Sequence, residues 1–235
     1  MNQDQRDGSV SRRGVIAGGL VGAAALVLGV GKISANAAPL PAQSDLIYPH
    51  PDMCIGCLTC EMACSDWHRS QKLSPLPRIH ILRQEEAQPA AAVAAFAGDL
   101  GFAQDPCVQC AVPECWAVCP ADALRIDGDS GARYIDEERC IACGKCQEAC
   151  PFPINGLAQA SLQPFVSTRI QYDAERDVYV KCDLCRGREG GPACVEACPV
   201  NRDVASGRID APYGALELRR SDMAVFDEFK QSVRG

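Results

Sequence analysis

Sixteen cysteines fall into four groups of four, and a chain of this length can hold them that way only by folding around what they bind. The groups are Cys54, Cys57, Cys60, Cys64; Cys107, Cys110, Cys115, Cys119; Cys140, Cys143, Cys146, Cys150; and Cys182, Cys185, Cys194, Cys198. Three of them end in Cys-Pro, at Pro120, Pro151 and Pro199, while Ser65 follows the first group. The third group is a C-x2-C-x2-C-x3-C-P run, a spacing that holds a 4Fe-4S cubane. Each cubane needs four thiolates, so sixteen cysteines supply four clusters with none left over.

The first 37 residues read as a targeting segment rather than as part of the fold. Arg6, Arg12 and Arg13 give a positive start, sixteen mostly apolar residues run from Val15 to Val30, and Ala35-Asn36-Ala37 offers a cleavage site. The apolar run is shorter than the roughly 20 residues a membrane-spanning helix needs. The pair Arg12-Arg13 after Ser11 points to the twin-arginine export route. That route is expected to carry an already folded holoprotein, which explains thiols in an exported chain where disulfides are the usual reading. The expected location is therefore periplasmic, with no membrane span in the mature chain.

Residues 38–235 carry 19 basic and 28 acidic side chains, a net charge of −9. An acidic surface argues against nucleic acid as a partner. With 198 residues serving four clusters, the clusters themselves must form much of the core. The tail from Asp210 alternates charged and apolar residues and ends in an amphipathic stretch from Met223 to Val233.

Gap lengths indicate which groups pair. In a two-cluster ferredoxin the fourth cysteine of each run ligates the other run's cluster, so paired runs need a short connection. Twenty residues separate Cys119 from Cys140, and they read as a β-hairpin: Ala123 to Ile126, a turn from Asp127 to Gly131, then Arg133 to Ile135. Groups two and three thus form an inner unit, residues 105–164. Groups one and four, flanked by 42-residue and 31-residue gaps, form an outer unit from residues 38–104 and 165–235. Loop closure over such lengths costs only logarithmically. A second hairpin is expected from Thr168–Tyr172 and Val178–Val180, a strand over 77–85, a short helix within 90–97 and a linker over 156–164. The fold class is α+β: two ferredoxin-like units, one nested within the other.

Under this pairing Cys54, Cys57, Cys60 and Cys198 hold one cluster, and Cys64, Cys182, Cys185 and Cys194 its neighbour. In the inner unit Cys107, Cys110, Cys115 and Cys150 hold one, and Cys119, Cys140, Cys143 and Cys146 the other. Thiolates suit iron in a cubane, and short spacing lets one loop wrap three corners. Four all-thiolate zinc sites would also use sixteen cysteines, but zinc ribbons pair two CxxC knuckles rather than running four cysteines together. His50, His68 and His80 sit in no ligand spacing and read as surface or packing residues. Trp67 and Trp116 read as packing. Lys145, Lys181, Arg186 and Arg188 lie near the cysteines, where either solvated side chains or cluster-tuning charges fit.

The four groups, their spacings and the nested pairing resemble the iron–sulfur electron-transfer subunits of the dimethyl sulfoxide reductase (molybdopterin oxidoreductase) family. The chain resembles most the exported members associated with nitrite-, polysulfide-, tetrathionate- or sulfite-type respiratory complexes, over Met53 to Asn201. Some relatives carry Trp where this chain has Cys143, which implies four complete cubanes here. The resemblance implies a non-catalytic subunit relaying single electrons between a catalytic molybdopterin subunit and a membrane quinone or cytochrome subunit. The alternatives are a free-standing polyferredoxin shuttle and a redox sensor; no stretch is long enough to be the effector domain a sensor needs.

Overall fold

The computed structural model describes residues 44–84, 89–93, 101–152 and 169–220. The expected targeting segment, the 156–164 linker and the 223–233 stretch lie outside the described residues, as do residues 94–97 of the short helix expected within 90–97, whose described residues 91–93 form a turn.

One local pattern repeats at all four cysteine groups. The residue two after the first cysteine has left-handed backbone each time: Gly56 (φ 68°), Gln109 (53°), Ala142 (53°) and Leu184 (57°). That turn folds each Cys-x-x-Cys back on itself, and three of the four turns adopt it without glycine. In every group the third cysteine is then the second residue of a helix: Cys60 in α1 (Thr59–Ser70), Cys115 in α2 (Glu114–Ala117), Cys146 in α3 (Lys145–Glu148) and Cys194 in α4 (Ala193–Ala197). The fourth cysteine follows four residues later, one helical turn along.

The groups alternate in how they enter those helices. Groups one and three start from a left-handed N-cap, Leu58 (φ 60°) and Gly144 (φ 76°). Groups two and four, with their longer spacings, start from Pro113 and Pro192 in extended conformation. Proline sets φ for a helix entry and gives up a backbone donor that the first turn could not satisfy anyway. After group four, Pro199 opens α5 (Pro199–Ala205).

Four two-stranded antiparallel ribbons frame these loops. The two expected hairpins form: β4 (Leu124–Ile126) pairs with β5 (Arg133–Ile135), and β6 (Gln171–Asp173) with β7 (Val178–Val180). Asp127 closes the first turn by accepting from the Ser130 N–H at 2.9 Å and the Ser130 hydroxyl at 2.7 Å. The expected strand over 77–85 shortens to β2 (Ile81–Gln84), which pairs with β3 (Gly101–Gln104). Its first half is held elsewhere: the Arg78 N–H donates to Cys64 Sγ at 3.3 Å and its guanidinium to Asp183 at 2.8 Å. The fourth ribbon, β1 (Asp45–Pro49) with β8 (Leu216–Arg220), joins the two ends of the described chain.

The apolar interior is small and subdivided. Each of its four buried clusters contains cysteines or has them packed against it, and the largest combines Ile47, Ile79, Leu184 and Leu216 with Cys60, Cys64, Cys182 and Cys194. Among the described residues, no helix is long and apolar enough to cross a membrane.

Candidate metal centres

All sixteen cysteines are described, and none is in a disulfide. They meet in sets that cross the sequence groups. Cys119, Cys140, Cys143 and Cys146 line one cavity; Cys107, Cys110, Cys115 and Cys150 line a second; Cys54, Cys57, Cys60 and Cys198 line a third. These cavities are alike in size. The remaining four, Cys64, Cys182, Cys185 and Cys194, are all buried. Cys194 is pushed far up by burial, then by the thiols of Cys182, Cys64 and Cys185.

Backbone donors point at several sulfurs. Ala123 N–H donates to Cys119 Sγ at 3.3 Å, Tyr179 N–H to Cys140 Sγ at 3.4 Å, Gln109 N–H to Cys107 Sγ at 3.5 Å and Ala193 N–H to Cys185 Sγ at 3.5 Å. Such donors suit sulfur that carries negative charge.

The donor chemistry fits iron–sulfur clusters. Burial raises Cys54 and Cys185 to about 11 and Cys64, Cys110, Cys115 and Cys146 to about 12, neighbouring thiols adding to the rise at each of these except Cys185, where Asp183 does so. Four thiolates cannot be packed together in a protein interior unless cations compensate them. Iron ions would displace the protons and supply that compensation, so binding and folding would be one process.

The sets adjoin in series. Cys60 of the first set shares one buried cluster with Cys64, Cys182 and Cys194 of the second, and Cys107 of the third packs against it. Cys107 of the third set is the neighbour that most raises Cys182 after burial itself. Cys115 stands in the same relation to Cys146 of the fourth set. The two exposed cysteines, Cys57 and Cys143, lie in the first and last sets.

A family model for a 4Fe-4S dicluster domain matches residues 100–151. The electron transport protein HydN of Escherichia coli K12 is 33% identical over 183 residues, which cover 74% of this chain and 94% of HydN. The chain belongs to the family of 4Fe-4S electron transport proteins. Formate hydrogenlyase subunit 2 of the same organism is 34% identical over 167 residues, covering 63% of this chain and 74% of that subunit. This family member is thus an iron–sulfur electron-transfer protein.

The sequence missed the polar groups that surround the sets. His68, read as a surface or packing residue, is buried; its Nδ1 contacts the Cys64 carbonyl at 2.7 Å and its Nε2 contacts Asp183 at 3.0 Å. Asp183 also takes Arg78, whose other nitrogen reaches Glu137 at 2.8 Å. His68, Asp183 and Cys185 bring potential metal ligands within 4.8 Å of one another, but Cys185 belongs to the buried cysteine set. Arg169 and Asp105 form a buried ion pair at 3.0 Å beside Cys107. Lys145 and Arg186 are exposed. Lys181 is not: it is 1% exposed, so a solvated side chain does not describe it. Its place on the same hairpin as Val178–Val180, one residue before Cys182, was the available signal.

Proposed function

We propose that the protein carries four 4Fe-4S clusters and relays single electrons between a catalytic, molybdopterin-type subunit and a membrane quinone or cytochrome subunit of a respiratory oxidoreductase. The four ligand sets are Cys54, Cys57, Cys60, Cys198; Cys64, Cys182, Cys185, Cys194; Cys107, Cys110, Cys115, Cys150; and Cys119, Cys140, Cys143, Cys146. They divide into an outer and a nested inner ferredoxin-like unit. The Arg12-Arg13 segment supports export of the folded holoprotein to the periplasm.

The observation that carries this reading is the serial adjacency of the four sets, with one exposed cysteine in each end set and none in the two between. A 4Fe-4S cluster supplies one-electron oxidation and reduction. The chain's own part is placement: its left-handed turns present the sulfurs, and each end set leaves one cysteine exposed to partners while the two sets between leave none. No residue is assigned a catalytic role.

Iron, acid-labile sulfide and zinc per chain, measured on anaerobically purified protein, test the cofactor content. About sixteen irons and sixteen sulfides are expected; about four zincs without sulfide overturn the reading. Isolation from native membranes tests the relay. Recovery with a large molybdopterin subunit supports it, whereas recovery alone replaces it with a free-standing shuttle.

A further inference from the structure

Charge is distributed unequally around the four sets. Among the described residues, the lining of the Cys54 cavity and that of the Cys119 cavity contain no charged side chain. Beside the Cys64 set, Arg78 is held between two carboxylates, Asp183 and Glu137, each at 2.8 Å. The Cys107 cavity differs: Arg133, Arg169 and Lys181 all line it, with the exposed Glu114. Asp105 pairs with Arg169 at 3.0 Å.

Lys181 and Arg133 are each 1% exposed. Lys181 Nζ donates to the Arg133 carbonyl and, at 2.8 Å, to the Cys182 carbonyl. The Arg133 guanidinium donates to the carbonyls of Gly131 at 2.6 Å and Ala111 at 3.1 Å. The two carbonyls orient Lys181 without cancelling its charge as a carboxylate would. A guanidinium stays protonated in proteins.

We infer that the buried cations Lys181 and Arg133 make the cluster held by Cys107, Cys110, Cys115 and Cys150 the highest-potential of the four, an electron well inside the series. This rests on the four-cluster reading above. Reduction adds one electron, delivered from a neighbouring site, and therefore one negative charge. A fixed positive charge in a poorly polarisable interior favours that reduced state. Backbone N–H donors do not separate the sites in the same way, because the other sets receive them too.

The test is a mediated redox titration of the anaerobic holoprotein followed by electron paramagnetic resonance, with iron and sulfide counted in each sample. In Lys181→Met the highest-potential component is expected to move down, its reduction constant falling about tenfold, about 59 mV for one electron. Lys181→Arg keeps the charge and is expected to hold it near its original position. Movement of a different component, or of none, with cluster content intact, overturns the inference. Should Lys181→Met fail to fold, Cys110→Ser decides: it must alter the spectrum of the highest-potential component, and alteration of a lower one overturns the inference. A chain that lacks four clusters before any substitution overturns the reading beneath it.

Discussion

Gln109 donates from its side-chain amide to the Cys182 carbonyl at 2.7 Å, tying the second cysteine group to the fourth. Its Oε1 meanwhile accepts the Arg133 N–H at 2.8 Å. One buried amide thus spans the seam at which Cys107 and Cys182 influence each other.

Replacing Gln109 with Leu leaves the Arg133 N–H without this acceptor and the Cys182 carbonyl without one donor. A stranded buried group costs about 1–3 kcal/mol. The denaturation midpoint of the anaerobic holoprotein is expected to fall accordingly. A control at exposed Gln71, Gln71→Leu, should stay within about 0.5 kcal/mol.

Gly56 is the only glycine among the four left-handed turn positions, and the reason is a neighbour rather than the turn itself. A Cβ there would meet the Phe102 ring at 2.5 Å. Gly56→Ala should therefore displace β3 or the Cys54–Cys57 loop and lower iron content by about four atoms per chain, one cubane's worth. Adding Phe102→Ala removes the clash and is expected to restore most of that iron. No restoration would mean that backbone strain, not the ring, excludes alanine.

These two positions show what the sequence can and cannot carry. The cysteine spacing announced the cofactor because ligand number and reach are local constraints. The 124–135 and 171–180 hairpins were legible for the same reason, since turn residues and alternation lie side by side. The β1–β8 pairing was not, because Asp45 and Arg220 are brought together only by the finished fold. Nor was the left-handed state of Gln109, Ala142 and Leu184, whose side chains do not signal it. Lys181 was visible as a charge, but its burial depends on Arg133, far from it in the chain.

His80 should give the protein a pH dependence at mildly acidic values. Burial lowers its pKa to about 4 from 6.5, and its Nε2 meets no hydrogen-bond partner among the described residues. A depressed folded-state pKa contributes stability above the unfolded value and loses it as pH falls toward the folded one. Between about 6.5 and 4 the unfolded chain takes up a proton that the folded chain refuses, at up to about 1.4 kcal/mol per pH unit. His80→Gln removes that proton. The wild-type denaturation midpoint should fall from pH 6.5 to 4.5 more steeply than that of the variant, and parallel curves would exclude His80 as the source.

Iron should leave the chain in two stages. Cys57 and Cys143 are exposed, whereas Cys64, Cys182, Cys185 and Cys194 are all buried and no cysteine of the half-buried Cys107 set is exposed. A chelator reaches a ligand only through solvent, so the Cys54 and Cys119 sets should surrender metal before the two that lie between them in the series. On the four-cluster reading the fast phase contains about half of the iron, roughly eight atoms per chain. Cys143→Ser weakens one end ligand and should accelerate about half of that fast phase while leaving the slow phase unchanged. Timed iron release with parallel electron paramagnetic resonance resolves the two phases. A single phase for all iron would mean that the interior sets open as readily as the ends.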